Sequence, residues 1–313
     1  MGLDETWISL LLMVGTMMLV GGCRKLTRRQ MHSRRLHPRT FLLELFATFQ
    51  ICACTNELRL LANVQPKPHV ALTLTYVFTV LHGLTLTGST CNPCGTLQQI
   101  LDGGISVKQG GLKIGAQFAG AVLARIYMHR IWSMGIIKVH SEALAEGCSN
   151  PIQTTETQAF CIELLFSTVF QLTILQFEAV KPRLRVHLIA LLITMLVYGG
   201  GNLTGAIFNP ALAFSLHASC FHDKFWDYSL VYWTAPSLGK CLYAFLPLKK
   251  HMVTTRDSGK EINVLYFHNL LVFHFKLNPK SYINAMLRLE LDSSQNIQSY
   301  GSQRNHNLSF LHI

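Results

Sequence analysis

The sequence predicts an all-α polytopic membrane protein, a bundle of spanning helices built from an inverted repeat that adds two half-helices. Three observations carry this prediction: a nine-residue frame that occurs twice, long uncharged runs, and an alternation of Lys and Arg between the loops. Residues 86–94 are Leu-Thr-Gly-Ser-Thr-Cys-Asn-Pro-Cys, and residues 203–211 are Leu-Thr-Gly-Ala-Ile-Phe-Asn-Pro-Ala. Upstream of each frame a Glu sits inside an apolar segment, Glu44 lying 48 residues before Asn92 and Glu163 lying 46 before Asn209. Asn-Pro alone says little, since Asn150-Pro151 and Asn278-Pro279 occur outside any repeat. Frame, apolar segment and paired Glu together are the signature of a membrane channel or transporter with an internal repeat.

Half of the 313 residues are hydrophobic and only 14% are Asp, Glu, Lys or Arg, well below the usual quarter of a soluble chain. Uncharged or nearly uncharged runs cover 7–23, 40–61, 70–101, 114–124, 158–177, 186–221 and 228–239. A spanning helix takes about 20 residues, so the runs 70–101 and 186–221 are too long for one crossing. Each has room for a spanning helix and a half-helix beginning at its Asn-Pro. The run 7–23 precedes the first Glu-bearing helix. Asp4 and Glu5 before it and an Arg cluster after it are the reverse of a cleaved signal peptide, which leaves an uncleaved anchor or an interfacial helix.

Orientation follows from the basic residues. The stretch 24–39 carries Arg24, Lys25, Arg28, Arg29, Arg34, Arg35 and Arg39, and further clusters fall at Lys108 with Lys113, at Lys181 to Arg185, and from Lys240 onward. The intervening loops hold little but Lys67, Lys138 and Lys224. The alternation places 24–39, 102–113, 178–185 and the C-terminal tail in the cytoplasm. The net charge of +11 is then a topological signal in preference to a nucleic-acid patch. The expected division is an N-terminal helix and basic loop at 1–39, a first half at 40–137, a connecting loop at 138–158, a second half at 159–248 and a divergent tail at 249–313.

Asn favours the N-cap and Pro the first helical position, so Asn92-Pro93 and Asn209-Pro210 each start a helix within an apolar run. In halves of opposite orientation the two N-termini face one another near mid-membrane, where irregular backbone is tolerated only if buried or lining an aqueous cavity. Their positive ends oppose cations, and the two Asn amides offer N–H donors to a neutral polar molecule. A narrow pore for small uncharged solutes follows. Glu44 and Glu163 read either as a proton or cation relay or as buried acceptors for loop N–H groups, and their symmetry about the repeat favours the acceptors. Most of the nine Cys sit in or beside apolar runs, as small buried hydrophobes, with no disulfide framework. Cys91-Asn92-Pro93-Cys94 is formally a C-x-x-C, but the second frame has no Cys in register, which argues against a redox enzyme. Arg125 and His129 share one face of a helix at i, i+4 spacing, where snorkelling is the usual fate.

These residues resemble the aquaporin family, in its unorthodox branch, where Asn-Pro-Cys (Asn92, Pro93, Cys94) is paired with Asn-Pro-Ala (Asn209, Pro210, Ala211). The segments Lys-Pro-Arg-Leu-Arg-Val-His-Leu and Val-Tyr-Trp-Thr-Ala-Pro-Ser-Leu-Gly carry the likeness further, over roughly residues 1–239. The resemblance implies a right-handed bundle of six spanning helices plus two half-helices, here with an extra N-terminal helix, and a homotetramer with one pore per subunit. It implies passive permeation of water, with glycerol and hydrogen peroxide as further solutes, in the endoplasmic reticulum or another intracellular membrane. No catalysis, metal or cofactor is implied. The filter positions map to Val197, Ala206 and Leu212, and Cys220 to a cysteine linked with oligomer formation. Most family members place an Arg where Leu212 stands, so a more apolar constriction is expected here. The last spanning helix should also run about ten residues past Gly239, yet Lys240 and Pro247 fall there. A non-conducting form that modulates assembly of a full-length channel is the alternative this break suggests.

Overall fold

Several helices begin on a proline, whose missing N–H needs no partner at a helix start: Pro68, Pro93, Pro182 and Pro210 open four of them. The computed structural model describes residues 3–31, 36–64, 68–147, 150–177, 180–221 and 224–239, all within the compact unit Met1–Met252. Among these residues every regular element is helical. In chain order they are α1 (Leu3–Gln30), α2 (Leu36–Val64), α3 (Pro68–Thr85), α4 (Pro93–Leu101), α5 (Val107–Ser133), α6 (Lys138–Glu146), α7 (Glu156–Phe177), α8 (Pro182–Thr204), α9 (Pro210–His217) and α10 (Phe225–Ser229). A π-helical turn, Leu230–Thr234, carries α10 on to residue 239.

The repeat is visible in how the helices cross. A Cβ on Gly120 of α5 would stand 2.5 Å from Leu45 O of α2, and one on Gly239 would stand 2.7 Å from Leu164 O of α7. Each glycine is what lets two backbones approach. Gly120 and Gly239 are 119 residues apart, and so are Glu44 and Glu163. Helices α2 to α5 therefore correspond to α7, α8, α9 and the final helix. The halves meet where α3 crosses α8, with Gly83 against Val186, and where α9 packs on α2 and α5 through Ala211, Cys52, Ala53, Ala121 and Ala124.

Helix α1 lies outside the repeat. It packs Met13 and Met17 against Cys54, Leu61 and Phe78, while Trp7, Leu11, Met18 and Leu19 face outward. Like α7 and α8, it is long and apolar enough to cross a bilayer. Polar contacts fix it at two levels. Ser9 Oγ donates to Glu57 Oε1 (2.5 Å), which also bonds His140 Nε2 (2.9 Å), while Trp132 Nε1 donates to Glu57 Oε2 (2.9 Å). This buried carboxylate thus joins α1, α2, α5 and α6. Toward its other end, α1 carries Arg24.

Three sequence expectations change. The stretch 24–39 is not all loop, because α1 runs to Gln30 and Arg24 is only 2% exposed. The connecting segment 138–158 contains α6, whose His140 is fully buried. Cys220 is disulfide-bonded, whereas Cys23, Cys52, Cys54, Cys91, Cys94 and Cys161 are in the thiol form. The expected break at Lys240 and Pro247, and the tail 249–313, lie outside the described residues.

Candidate functional site: the paired Asn-Pro loops

Each loop runs from a glycine to an asparagine that caps a short helix. Gly88 (φ +83°) and Gly205 (φ +79°) adopt the left-handed conformation that glycine allows. Asn92 Oδ1 accepts from Cys94 N (2.9 Å), and Asn209 Oδ1 accepts from Ala211 N (3.1 Å) and Leu212 N (3.3 Å). Both caps use extended backbone at the asparagine, as N-caps do. The residue just before each asparagine is also left-handed, Cys91 at φ +57° and Phe208 at φ +33°, with Ala206 at +47°. Such non-glycine conformations cost about 1–3 kcal/mol each and persist only where surrounding contacts impose them.

The paired carboxylates impose them. Glu44 Oε1 accepts from Thr90 N (2.8 Å) and Cys91 N (2.6 Å). In the second half Glu163 accepts from Ile207 N (3.1 Å) through Oε1 and Phe208 N (2.8 Å) through Oε2. The two carboxylates hold equivalent N–H groups by charge-assisted bonds. Glu163 also accepts from Thr204 Oγ1 (2.8 Å), and Glu44 from Gln117 Nε2 (2.7 Å), whose other bond goes to Thr96 Oγ1 (2.8 Å).

The loops are then braced against each other. Asn92 Nδ2 donates to Phe208 O (3.1 Å), and Asn209 Nδ2 donates to Cys91 O (2.9 Å). The bonds are reciprocal, so each asparagine caps its own helix and grips the other half. An amide has two N–H donors, and this brace uses one of each pair.

The remaining predicted residues fall around this centre. Pro93, Pro210 and Ala211 are buried at the helix starts. Cys94 is 1% exposed, with Sγ 3.5 Å from Ser237 Oγ of the final helix. Val197 and Ala206 share one apolar cluster with Phe208. Leu212 does not join it and packs instead with Ala211, Phe214 and Trp233. Cys220 is buried beneath α9; being disulfide-bonded, it offers no free thiol to a neighbouring subunit. Arg125 is half-buried, and Arg59 of α2, which feels the charges of Glu146 and Arg125, reaches His217 Nδ1 (3.2 Å).

Residues counted in the sequence only as loop charges also reach the site. Arg24 donates from Nη1 to Leu43 O (2.6 Å) and Ser89 Oγ (2.8 Å), and from Nη2 to Thr87 O (3.1 Å). Lys113 Nζ donates to Thr90 Oγ1 (2.6 Å) and Gln99 Oε1 (2.9 Å), and lies 3.9 Å from Glu44 Oε2. The available signal for Lys113 was its i, i+4 relation to Gln117 on one face of α5. Nothing local to Arg24 marks it out from its basic neighbours.

Comparison with known proteins agrees with this architecture. The family model described as "Major intrinsic protein" matches residues 37–246. The chain is 46% identical to aquaporin-11 of Equus caballus over 239 residues, covering 76% of this chain and 87% of that protein. It is 44% identical to aquaporin-11 of Homo sapiens over 238 residues, with 76% and 87% covered. Aquaporin-12 of Mus musculus is more distant, at 32% over 204 residues, with 63% and 70% covered. Among solved structures, the aquaglyceroporin from Plasmodium falciparum superposes with a TM-score of 0.54 at 17% identity, over 66% of this chain and 93% of that one. That likeness speaks to the fold.

Proposed function

The chain belongs to the major intrinsic protein family of membrane channels for water or small solutes, and on that premise we propose that it passes water, glycerol and hydrogen peroxide along a route between Asn92 and Asn209. The observation that carries this reading is the reciprocal brace, Asn92 to Phe208 O and Asn209 to Cys91 O. It fixes two amides at one level and leaves each a second N–H with which to meet a passing polar molecule. A neutral solute exchanges its water hydrogen bonds for these and moves on. No bond is made or broken, and the buried thiols Cys91 and Cys94 serve as packing.

Solute choice is assigned to Val197, Ala206 and Leu212. With an apolar side chain at Leu212, the filter lacks a charged donor that would narrow it and favour water over bulkier solutes. The assembly is a homotetramer in an endoplasmic reticulum or other intracellular membrane, with the C-terminal tail 249–313 in the cytoplasm. Any part that Cys220 plays in assembly acts through the conformation of the segment after α9. The test is flux into proteoliposomes: osmotic shrinkage for water and reswelling for glycerol, in wild type and Leu212→Arg. The substitution is expected to lower the glycerol-to-water ratio roughly tenfold, the lower end of what one pocket contact discriminates. An unchanged ratio would remove Leu212 from the filter. Wild-type vesicles no more permeable than empty ones would favour instead a non-conducting form that modifies assembly of a full-length relative.

A further inference from the structure

The two loops are matched in geometry and unequal in charge. Around the first, Arg24 and Lys113 are buried, 2% and 7% exposed, and bond consecutive hydroxyls, Ser89 Oγ and Thr90 Oγ1. Against these two cations stands one carboxylate, Glu44. Around the second, Glu163 is fully buried, and no Lys or Arg among the described residues is ion-paired with it. The repeat shows where the difference was introduced. Tyr232 stands 119 residues after Lys113, the spacing that relates Glu163 to Glu44. Its hydroxyl donates to Thr204 O (2.7 Å), whereas the carbonyl in register, Thr87 O, accepts from Arg24 and Arg28. A neutral phenol does in one half what guanidinium groups do in the other. The first loop thus carries two cations to one carboxylate, and the second carries its carboxyl group with no ion-paired Lys or Arg among the described residues.

We propose that Arg24 and Lys113 are specificity-determining residues that hold cations out of the channel from the first loop, where Leu212 at the second box supplies no charge. This rests on the channel reading above. A fixed positive charge in a low-dielectric wall lowers the local concentration of cations by about ten- to a thousandfold, and it leaves neutral solutes unaffected. Arg24 comes from α1, so a helix outside the repeat contributes to selectivity within it.

The experiment measures osmotic water permeability and potassium leak on the same proteoliposomes. Arg24→Gln with Lys113→Gln should raise the ratio of potassium leak to water permeability, both read on the same vesicles, at least about tenfold. Arg24→Lys with Lys113→Arg should stay tight. Adding Leu212→Arg to the neutral pair should restore tightness. Should the neutral pair fail to fold, Ser89→Asp neutralises Arg24 while keeping an acceptor for it, and should also raise the leak. Water-permeable vesicles that stay potassium-tight with either the neutral pair or Ser89→Asp would overturn the proposal. Wild type without water permeability would instead overturn the channel reading beneath it.

Discussion

At the scale of the residue, the load on each loop falls on one carboxylate. Glu163 alone accepts from Ile207 N, Phe208 N and the Thr204 hydroxyl. A buried donor left without a partner costs about 1–3 kcal/mol, and a left-handed Phe208 has little other reason to persist. Glu163→Ala should therefore lower the melting temperature in detergent by several degrees, with Glu163→Gln intermediate because one carbonyl oxygen still accepts. A melting temperature unchanged in Glu163→Ala would show that the loop is held by something else. The pairing of this Glu with Asn209, and of Glu44 with Asn92, was legible in the sequence because both members recur at nearly equal spacing. Arg24 and Lys113 were not legible as site residues. A basic residue at a helix end ordinarily reports topology, and only the fold shows that these two turn inward to Ser89 and Thr90.

At the scale of the element, the glycine crossings set how closely each half is wound. Gly120 lies against Leu45 O and Gly239 against Leu164 O, so a methyl group on either forces two helices apart. Overpacking of this kind costs about 1–3 kcal/mol. Gly120→Ala and Gly239→Ala should destabilise by similar amounts, read as matched drops in melting temperature. A neutral Gly239→Ala beside a costly Gly120→Ala would mean that the final helix does not seat on α7. Short elements explain what the sequence reading missed here. Helix α6 spans only nine residues, and its anchor is the buried His140–Glu57 contact, which no local pattern announces. The half-helices α4 and α9 are as short, yet they were legible because Asn-Pro states where a helix begins.

At the scale of the whole molecule, two inverted halves meet at a reciprocal asparagine brace, and α1 packs on the first half. The repeat accounts for the geometry of the centre. The added helix and the Lys113–Tyr232 difference account for its asymmetry. The central claim is that this centre passes water. The most direct test is stopped-flow osmotic shrinkage of liposomes carrying a known amount of wild-type protein or of the Asn92→Ala, Asn209→Ala double variant. Wild-type vesicles should shrink several times faster than empty ones, and the double variant, which loses the brace and both donors, should fall to the empty-vesicle rate. Wild-type protein that is folded and inserted yet shrinks its vesicles no faster than empty controls would contradict the account.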